Sequence, residues 1–232
     1  MGVAICVAMD SEAAPFRELA VTCSAETVVG QARFQRLTFA KGTEALLVIS
    51  GIGLVNAAVA ASTAVQQFGA DILVSSGSAG GVGSGVKVGD VVIGNEATHS
   101  FADATAFGEY VVGQIPRMPP TYLSKTPLAG VATGLEAEMK IHRGPAISGD
   151  AFVSAHNFDA VTKNFPTALA ADMETAAIAQ VAHLFGIHWL AVRGISDLCG
   201  PAAADDFVTH VDDAAARAAA VVIALLGAKV SN

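Results

Sequence analysis

Residues 72–81 read ILVSSGSAGG, and this stretch decides the fold class. Its first half, Ile72 to Ser76, is a short apolar run of the kind found in a strand buried on both faces. Its second half, Gly77-Ser78-Ala79-Gly80-Gly81, is a small-residue turn. The turn fits neither common nucleotide fingerprint. Ala79 stands at the second glycine place of GxGxxG, and no Gly-Lys-Ser/Thr follows. It also comes after the third predicted strand rather than the first, which argues against a dinucleotide-binding dehydrogenase.

Working outward, the same unit recurs. Residues 46–50 form a predicted strand that enters Gly51-Ile52-Gly53, and the following helix runs to Phe68 with Gly69 as its stop. Upstream, residues 3–8 read as a strand and 11–20 as a helix. Downstream, strands are predicted at 88–94, through Ile147, at 168–172 and at 187–195. Helices are predicted at 123–138, at 173–185 with Gly186 behind, and at 205–226. Residues 97–122, rich in Gly and Pro, read as an irregular excursion of the length that functional or partner-facing loops reach. Strands alternating with helices predict one α/β domain over residues 1–232, three layers deep, with a central mixed sheet covered by helices on both faces.

Composition supports that reading. The 232 residues are 53% hydrophobic and 15% charged, enough for a large core and unlike a disordered chain. A net charge of −8 argues against nucleic-acid binding, which rests on clustered Lys and Arg. Every apolar run is interrupted before the ~20 residues a membrane helix needs. No charged n-region precedes the apolar start, so a cytoplasmic location is expected. Three cysteines without CxxC spacing predict no disulfide framework, and the six histidines show no metal-ligand spacing. Neither a metal nor another cofactor is expected.

In sheets covered this way, ligands bind beyond the carboxyl ends of the strands. The residues placed there are Glu12, Gly51 and Gly53, Ser78, Asp150 with Phe152 and Val153, Glu174, and Ser196 with Asp197. Each alone has a structural reading: Glu12 favours the macrodipole of a helix's first turn, and Asp197 can cap a turn. Together they bring several carboxylates to one place. That set suits glycosidic cleavage, in which one carboxyl protonates the leaving group, one activates water and one holds hydroxyls.

These residues lie in a longer series of motifs: Ala8-Met9-Asp10-Ser11-Glu12, Ser50-Gly51-Ile52-Gly53, Gly77-Ser78-Ala79-Gly80-Gly81, Val88-Gly89-Asp90 and Asp103-Ala104-Thr105-Ala106-Phe107-Gly108. Ser148-Gly149-Asp150-Ala151-Phe152, Asn164-Phe165-Pro166, Met173-Glu174 and Val192-Arg193-Gly194-Ile195-Ser196-Asp197 follow. From end to end the chain resembles the 5′-methylthioadenosine/S-adenosylhomocysteine nucleosidases of the nucleoside phosphorylase superfamily.

The resemblance implies a nucleoside phosphorylase-like fold and hydrolysis of an adenine nucleoside, in methionine salvage. It implies that Asp197, held by Ser196, is the acid at adenine N7, and that Glu12 is the base for a water positioned by Ser78 and Arg193. Glu174 would hold the ribose hydroxyls with Met173 against the sugar. Phe152 would stack on the base while the Val153 backbone reads its edge, and Ile52 and Phe207 would line the 5′ pocket. It further implies a homodimer in which Phe107 and Pro116 reach the partner's pocket.

Three other functions compete. A nucleoside phosphorylase would carry a glycine-containing turn and arginines where this chain has Met9-Asp10-Ser11-Glu12, whose charge repels phosphate. A catalytically silent nucleoside-binding protein would be expected to lack Glu12 or Asp197. A nucleosidase preferring aminodeoxyfutalosine would differ only in its 5′ pocket. Two departures from the family bear on specificity: Asp172 stands where Glu is expected, and residues 198–206 carry Cys199-Gly200-Pro201 and alanines in place of polar residues.

Overall fold

The computed structural model describes residues 2–126, Leu135 and residues 139–228. Among them the chain opens with strand β1 (Gly2–Val7) and helix α1 (Asp10–Leu19), then strands β2 (Thr22–Cys23), β3 (Thr27–Val29), β4 (Ala32–Thr38) and β5 (Glu44–Ile49). Helix α2 (Leu54–Phe68) leads into the long β6 (Ala70–Gly81), followed by β7 (Val91–His99), β8 (Tyr122–Leu123) and β9 (Ile141–Ser148). Helix α3 (Phe158–Asn164), β10 (Ala170–Asp172), α4 (Thr175–Phe185), β11 (His188–Asp197) and α5 (Ala203–Ala228) complete it.

The strands form one mixed sheet in the order β10-β9-β7-β11-β6-β1-β5-β4-β2, with β3 on β4 and β8 on β7. The layers are as expected. Phe16 of α1 and Val221, Val222 and Leu225 of α5 pack on one face over Ile5, Leu47 and Ile72. The alanine-lined faces of α2 and α4 (Ala57, Ala60, Ala61; Ala176, Ala179, Ala182) pack on the other. Alanine brings helix and sheet close together, which accounts for much of the apolar composition. Gly69 and Gly186 end α2 and α4 in left-handed conformations, at φ 71° and 65°, each donating its N–H back to the last turn.

The centre of the sheet differs from an open one. β6 pairs with β1 only as far as Ser75, while on its other edge β11 follows it to Gly80. Its tail then pairs antiparallel with β10 through Gly80 and Gly81. Since β11 pairs with β7, β7 with β9 and β9 with β10, these five strands close into a ring. Closure demands a sharp turn of β6, and Gly77 supplies it at φ 140°, where L side chains are strained.

Several boundaries move for that reason. The strands expected to end at Ser76 and Ile195 run on to Gly81 and Asp197, because ring closure gives their small-residue tails pairing partners. Ser78, Ser196 and Asp197 are therefore strand residues, not residues of turns beyond strands. Strands β2 to β4 and helix α3 were not foreseen. Thr22, Cys23, Thr27 and Val28 are exposed, so β2 and β3 carry little apolar periodicity. In the expected irregular excursion, β7 extends to His99 and β8 pairs with it. Of the helix expected at 123–138, Leu123 belongs to β8, and residues 127–134 and 136–138 lie outside the described residues.

Candidate active site

Four chain segments that differ widely in sequence position meet where the ring closes. Glu12, the third residue of α1, reaches back over the helix start and lies buried against the bend of β6. Its Oε2 accepts the N–H groups of Ala8 (2.8 Å) and Met9 (3.3 Å). Its Oε1 accepts the N–H of Ser78 (2.8 Å) and the Ser78 hydroxyl (3.0 Å). Four donors thus fix the carboxylate, and Gly77 makes the space for it: a Cβ there would lie 2.3 Å from Oε1.

Glu174 lies between β10 and α4. Its Oε1 accepts the Gly53 N–H at the start of α2 (3.0 Å), and its Oε2 lies 3.5 Å from Arg193 Nη2. Burial, reinforced by the charges of Asp172 and Glu12 and opposed by Arg193 and the Gly53 bond, pushes its carboxyl up to about 7. Asp197, at the end of β11, accepts the Cys199 N–H (2.9 Å) and the Ser196 hydroxyl (3.0 Å). Burial raises its carboxyl above the ordinary range, partly offset by those bonds.

Arg193 is one of the largest fully buried side chains of the protein. Its Nε faces Asp172 Oδ2 (3.0 Å) and the Thr175 hydroxyl (3.2 Å), its Nη1 the Ser78 carbonyl (3.3 Å), and its Nη2 the Ser75 hydroxyl (2.6 Å). A buried guanidinium requires such pairing.

A cavity of about 360 Å³ opens over these groups. Of the expected residues, Glu12, Ser78, Glu174, Ser196 and Asp197 line it, as do Ile52, Phe152, Val153, Met173 and Phe207. The Phe152 and Phe207 rings meet edge to face with centroids 6.1 Å apart, forming one aromatic wall. Arg193 stands behind the wall, bonded to its residues. Phe107 and Pro116 do not line it: both are exposed on the excursion, Phe107 in a single 3₁₀ turn. The sequence reading missed Ala8, Ala204, Val208 and Cys199 in the lining, and Ser75, Ser148 and Thr175 behind it. Small and hydroxyl residues on strands carry no local signal of such roles. Cys199 was noticed only as a departure; it is buried at φ 58°, with burial and Asp197 raising its thiol far above the usual value. Among the described residues no group of three or more His, Cys, Asp or Glu side chains is arranged to hold a metal ion. Nor, among them, is any helix long and apolar enough to cross a membrane.

A ring-closed mixed sheet between two helical layers, with buried carboxylates at the closure, is the architecture of a superfamily, and the phosphorylase superfamily model matches residues 3–227. A 5′-methylthioadenosine/S-adenosylhomocysteine nucleosidase of Anoxybacillus flavithermus is 35% identical over 226 residues, 96% of each chain. The crystal structure of the Neisseria meningitidis 5′-methylthioadenosine/S-adenosylhomocysteine nucleosidase in complex with methylthio-immucillin-A superimposes with a TM-score of 0.92 at 36% identity, covering 98% of this chain and 99% of that one. The corresponding nucleosidase of Colwellia psychrerythraea, in complex with adenine, gives 0.92 at 31% identity, covering 98% and 95%. The chain belongs to the 5′-methylthioadenosine/S-adenosylhomocysteine nucleosidase family, a family of N-glycosyl hydrolases.

Proposed function

We propose that this chain uses water to cleave the C1′–N9 bond of 5′-methylthioadenosine and S-adenosylhomocysteine, releasing adenine and the 5′-substituted ribose. One observation supports hydrolysis over phosphorolysis more than any other. Glu12, Asp172, Glu174 and Asp197 line a cavity to which, among the described residues, no Lys, Arg or His contributes lining. A phosphate anion entering it meets carboxyl groups and no cation to pair with, whereas water and a cationic sugar are favoured. Arg193 does not alter this, since Asp172, Glu174, Thr175, Ser75 and the Ser78 carbonyl engage all three of its nitrogens.

In this reading Asp197, whose hold on its proton burial strengthens, gives that proton to adenine N7 as the C1′–N9 bond breaks and the bonding pair leaves with the base. The ribose becomes oxocarbenium-like, and the carboxylates around it favour that charge. Water attacks C1′, keeping one proton as the new hydroxyl and passing the other to Glu12, which the Ser78 hydroxyl and three backbone N–H groups hold in place. Glu174 accepts hydrogen bonds from the ribose hydroxyls. Phe152 stacks on the base with the Val153 backbone at its edge, Met173 packs on the sugar, and Ile52 and Phe207 border the 5′ substituent. The methylthio-immucillin-A and adenine complexes of the two relatives support an adenine nucleoside as ligand.

The reading includes a homodimer. A second groove of about 780 Å³, bordered by the exposed Val55, Phe101 and Leu184, shares Ala151 with the catalytic cavity, so a second copy seated there lies next to the substrate. The exposed Phe107 then has a partner to reach.

The decisive experiment is adenine release from 5′-methylthioadenosine in phosphate-free buffer and then with phosphate, with the sugar identified. Free methylthioribose without phosphate supports the proposal; release only with phosphate, as a sugar 1-phosphate, overturns it.

A further inference from the structure

The sequence Ala170-Ala171-Asp172-Met173-Glu174-Thr175 places two carboxylates two residues apart where a strand becomes a helix. Within a continued strand both would point to the same side. Because the chain leaves β10 at Asp172, they part: Glu174 points to Gly53, while Asp172 folds back on its own backbone. Asp172 Oδ1 accepts the N–H groups of Glu174 (3.0 Å) and Thr175 (2.9 Å) and the Ser148 hydroxyl (2.6 Å). Ser148 Oγ in turn accepts the Ala176 N–H (2.9 Å). Short side chains make such bonds to the second and third residues onward, and a glutamate is one methylene too long for the same loop. The other oxygen, Oδ2, meets the Thr175 hydroxyl and Arg193 Nε (3.0 Å).

Asp172 thus holds Glu174 twice, by its backbone N–H and through the arginine whose Nη2 faces its carboxylate. We propose that Asp172 is a positioning residue of the nucleosidase reaction, which caps α4 and anchors Arg193 so that Glu174 is oriented for the ribose hydroxyls. The inference rests on Glu174 binding ribose, as proposed above.

A purely structural role for Asp172 would lower stability and leave the KM of the folded enzyme alone. A positioning role raises that KM, and the charge of Asp172 has a second consequence. The charged groups facing Glu174 are Arg193 from β11, Asp172 from β10 and Glu12 from α1, with the Gly53 N–H at the start of α2. Replacing Asp172 by Asn removes one negative neighbour and frees Arg193 to pair with Glu174 alone. Both changes favour the ionised Glu174, so its titration moves to lower pH.

The test is adenine release from 5′-methylthioadenosine by wild type, Asp172→Asn, Asp172→Glu and Glu174→Gln between pH 5 and 9. Asp172→Asn is expected to raise KM about tenfold to a hundredfold, the scale of a carboxylate displaced by about 1 Å. The pH at which 1/KM falls on the acid side is expected to shift downward in this variant. Asp172→Glu keeps the charge but loses the backbone bonds, so it raises KM without that shift. If Asp172→Asn does not fold, the Asp172→Glu KM decides. Wild-type KM in whichever variant decides, or an unshifted acid limb in Asp172→Asn, overturns the inference. Unchanged KM in Glu174→Gln instead overturns the ribose reading itself, and the inference with it.

Discussion

Gly77 is the residue on which the reaction geometry and the fold both depend, so Gly77→Ala is the most exacting perturbation. The added Cβ would lie 2.3 Å from Glu12 Oε1, 2.5 Å from its carboxyl carbon and 2.8 Å from Oε2. Restoring ordinary contact at about 3.5 Å requires the carboxylate to retreat by about 1.2 Å. It has nowhere to go, since hydrogen bonds to Ala8, Met9 and Ser78 hold both oxygens. Overpacking of this kind costs about 1–3 kcal/mol, and alanine at φ 140° a further ~1–3 kcal/mol. The sum, roughly 2–6 kcal/mol, is a large share of the ~5–15 kcal/mol typical of a domain. With Glu12 as the proposed base, a displacement of about 1 Å also lowers turnover by roughly 10²-fold. Urea unfolding gives the first quantity and initial rates of adenine release the second, measured on the fraction that remains folded. A variant with the wild-type midpoint and wild-type turnover would refute the placement of Glu12 against the bend.

Asp197→Asn is expected to abolish turnover while leaving the melting temperature within a few degrees; near-normal rates would remove Asp197 from the acid role. Gly80→Ala would put a Cβ 2.4 Å from Cys199 Sγ and 3.1 Å from Asp197 Oδ1, so it is expected to slow adenine release about tenfold or more. Adding Cys199→Ala removes the worse clash and is expected to restore much of the rate; a double variant no faster than the single one would contradict this. Glu174 also governs stability. Its carboxyl titrates near 7 when folded and near the ordinary 4.5 when unfolded, so between those values the folded enzyme binds more protons than the unfolded chain. Stability of the ligand-free enzyme is therefore greatest below about pH 4.5, as far as this group is concerned, and declines as pH rises to about 7. Glu174→Gln is expected to flatten that decline in melting temperature between pH 5 and 8, and parallel curves for the two proteins would count against it.

Much of the cavity wall was legible because it is built from local signals. Apolar runs entering small-residue turns marked β1, β5 and β6, and the residues next to them, Glu12, Ile52 and Ser78, do line the cavity. Met173 and Glu174 were placed correctly at the junction of β10 and α4. The role of Asp172 was not legible, because a carboxylate beside a strand end reads the same whether it faces a ligand or caps the next helix. Arg193 was expected in the site, but not as a fully buried cation behind its wall. Phe107 and Pro116 stay outside this chain's own cavity, so the role that the resemblance implies for them requires a second copy.

By itself the sequence determined the alternation of strands and helices, the alanine faces that pack on the sheet, and the glycine stops of α2 and α4. All of these follow from interactions between residues a few positions apart. Tertiary structure alone decided that β10 returns along β6 to close the ring. With closure, the Ser78 N–H meets Glu12 across 66 positions, and the Gly53 N–H meets Glu174 across 121. The position of a carboxylate depends on which strand passes beside it, and its proton affinity on burial and on the charges packed around it. Those are properties of the assembled ring, and no stretch of the chain carries them before the ring closes.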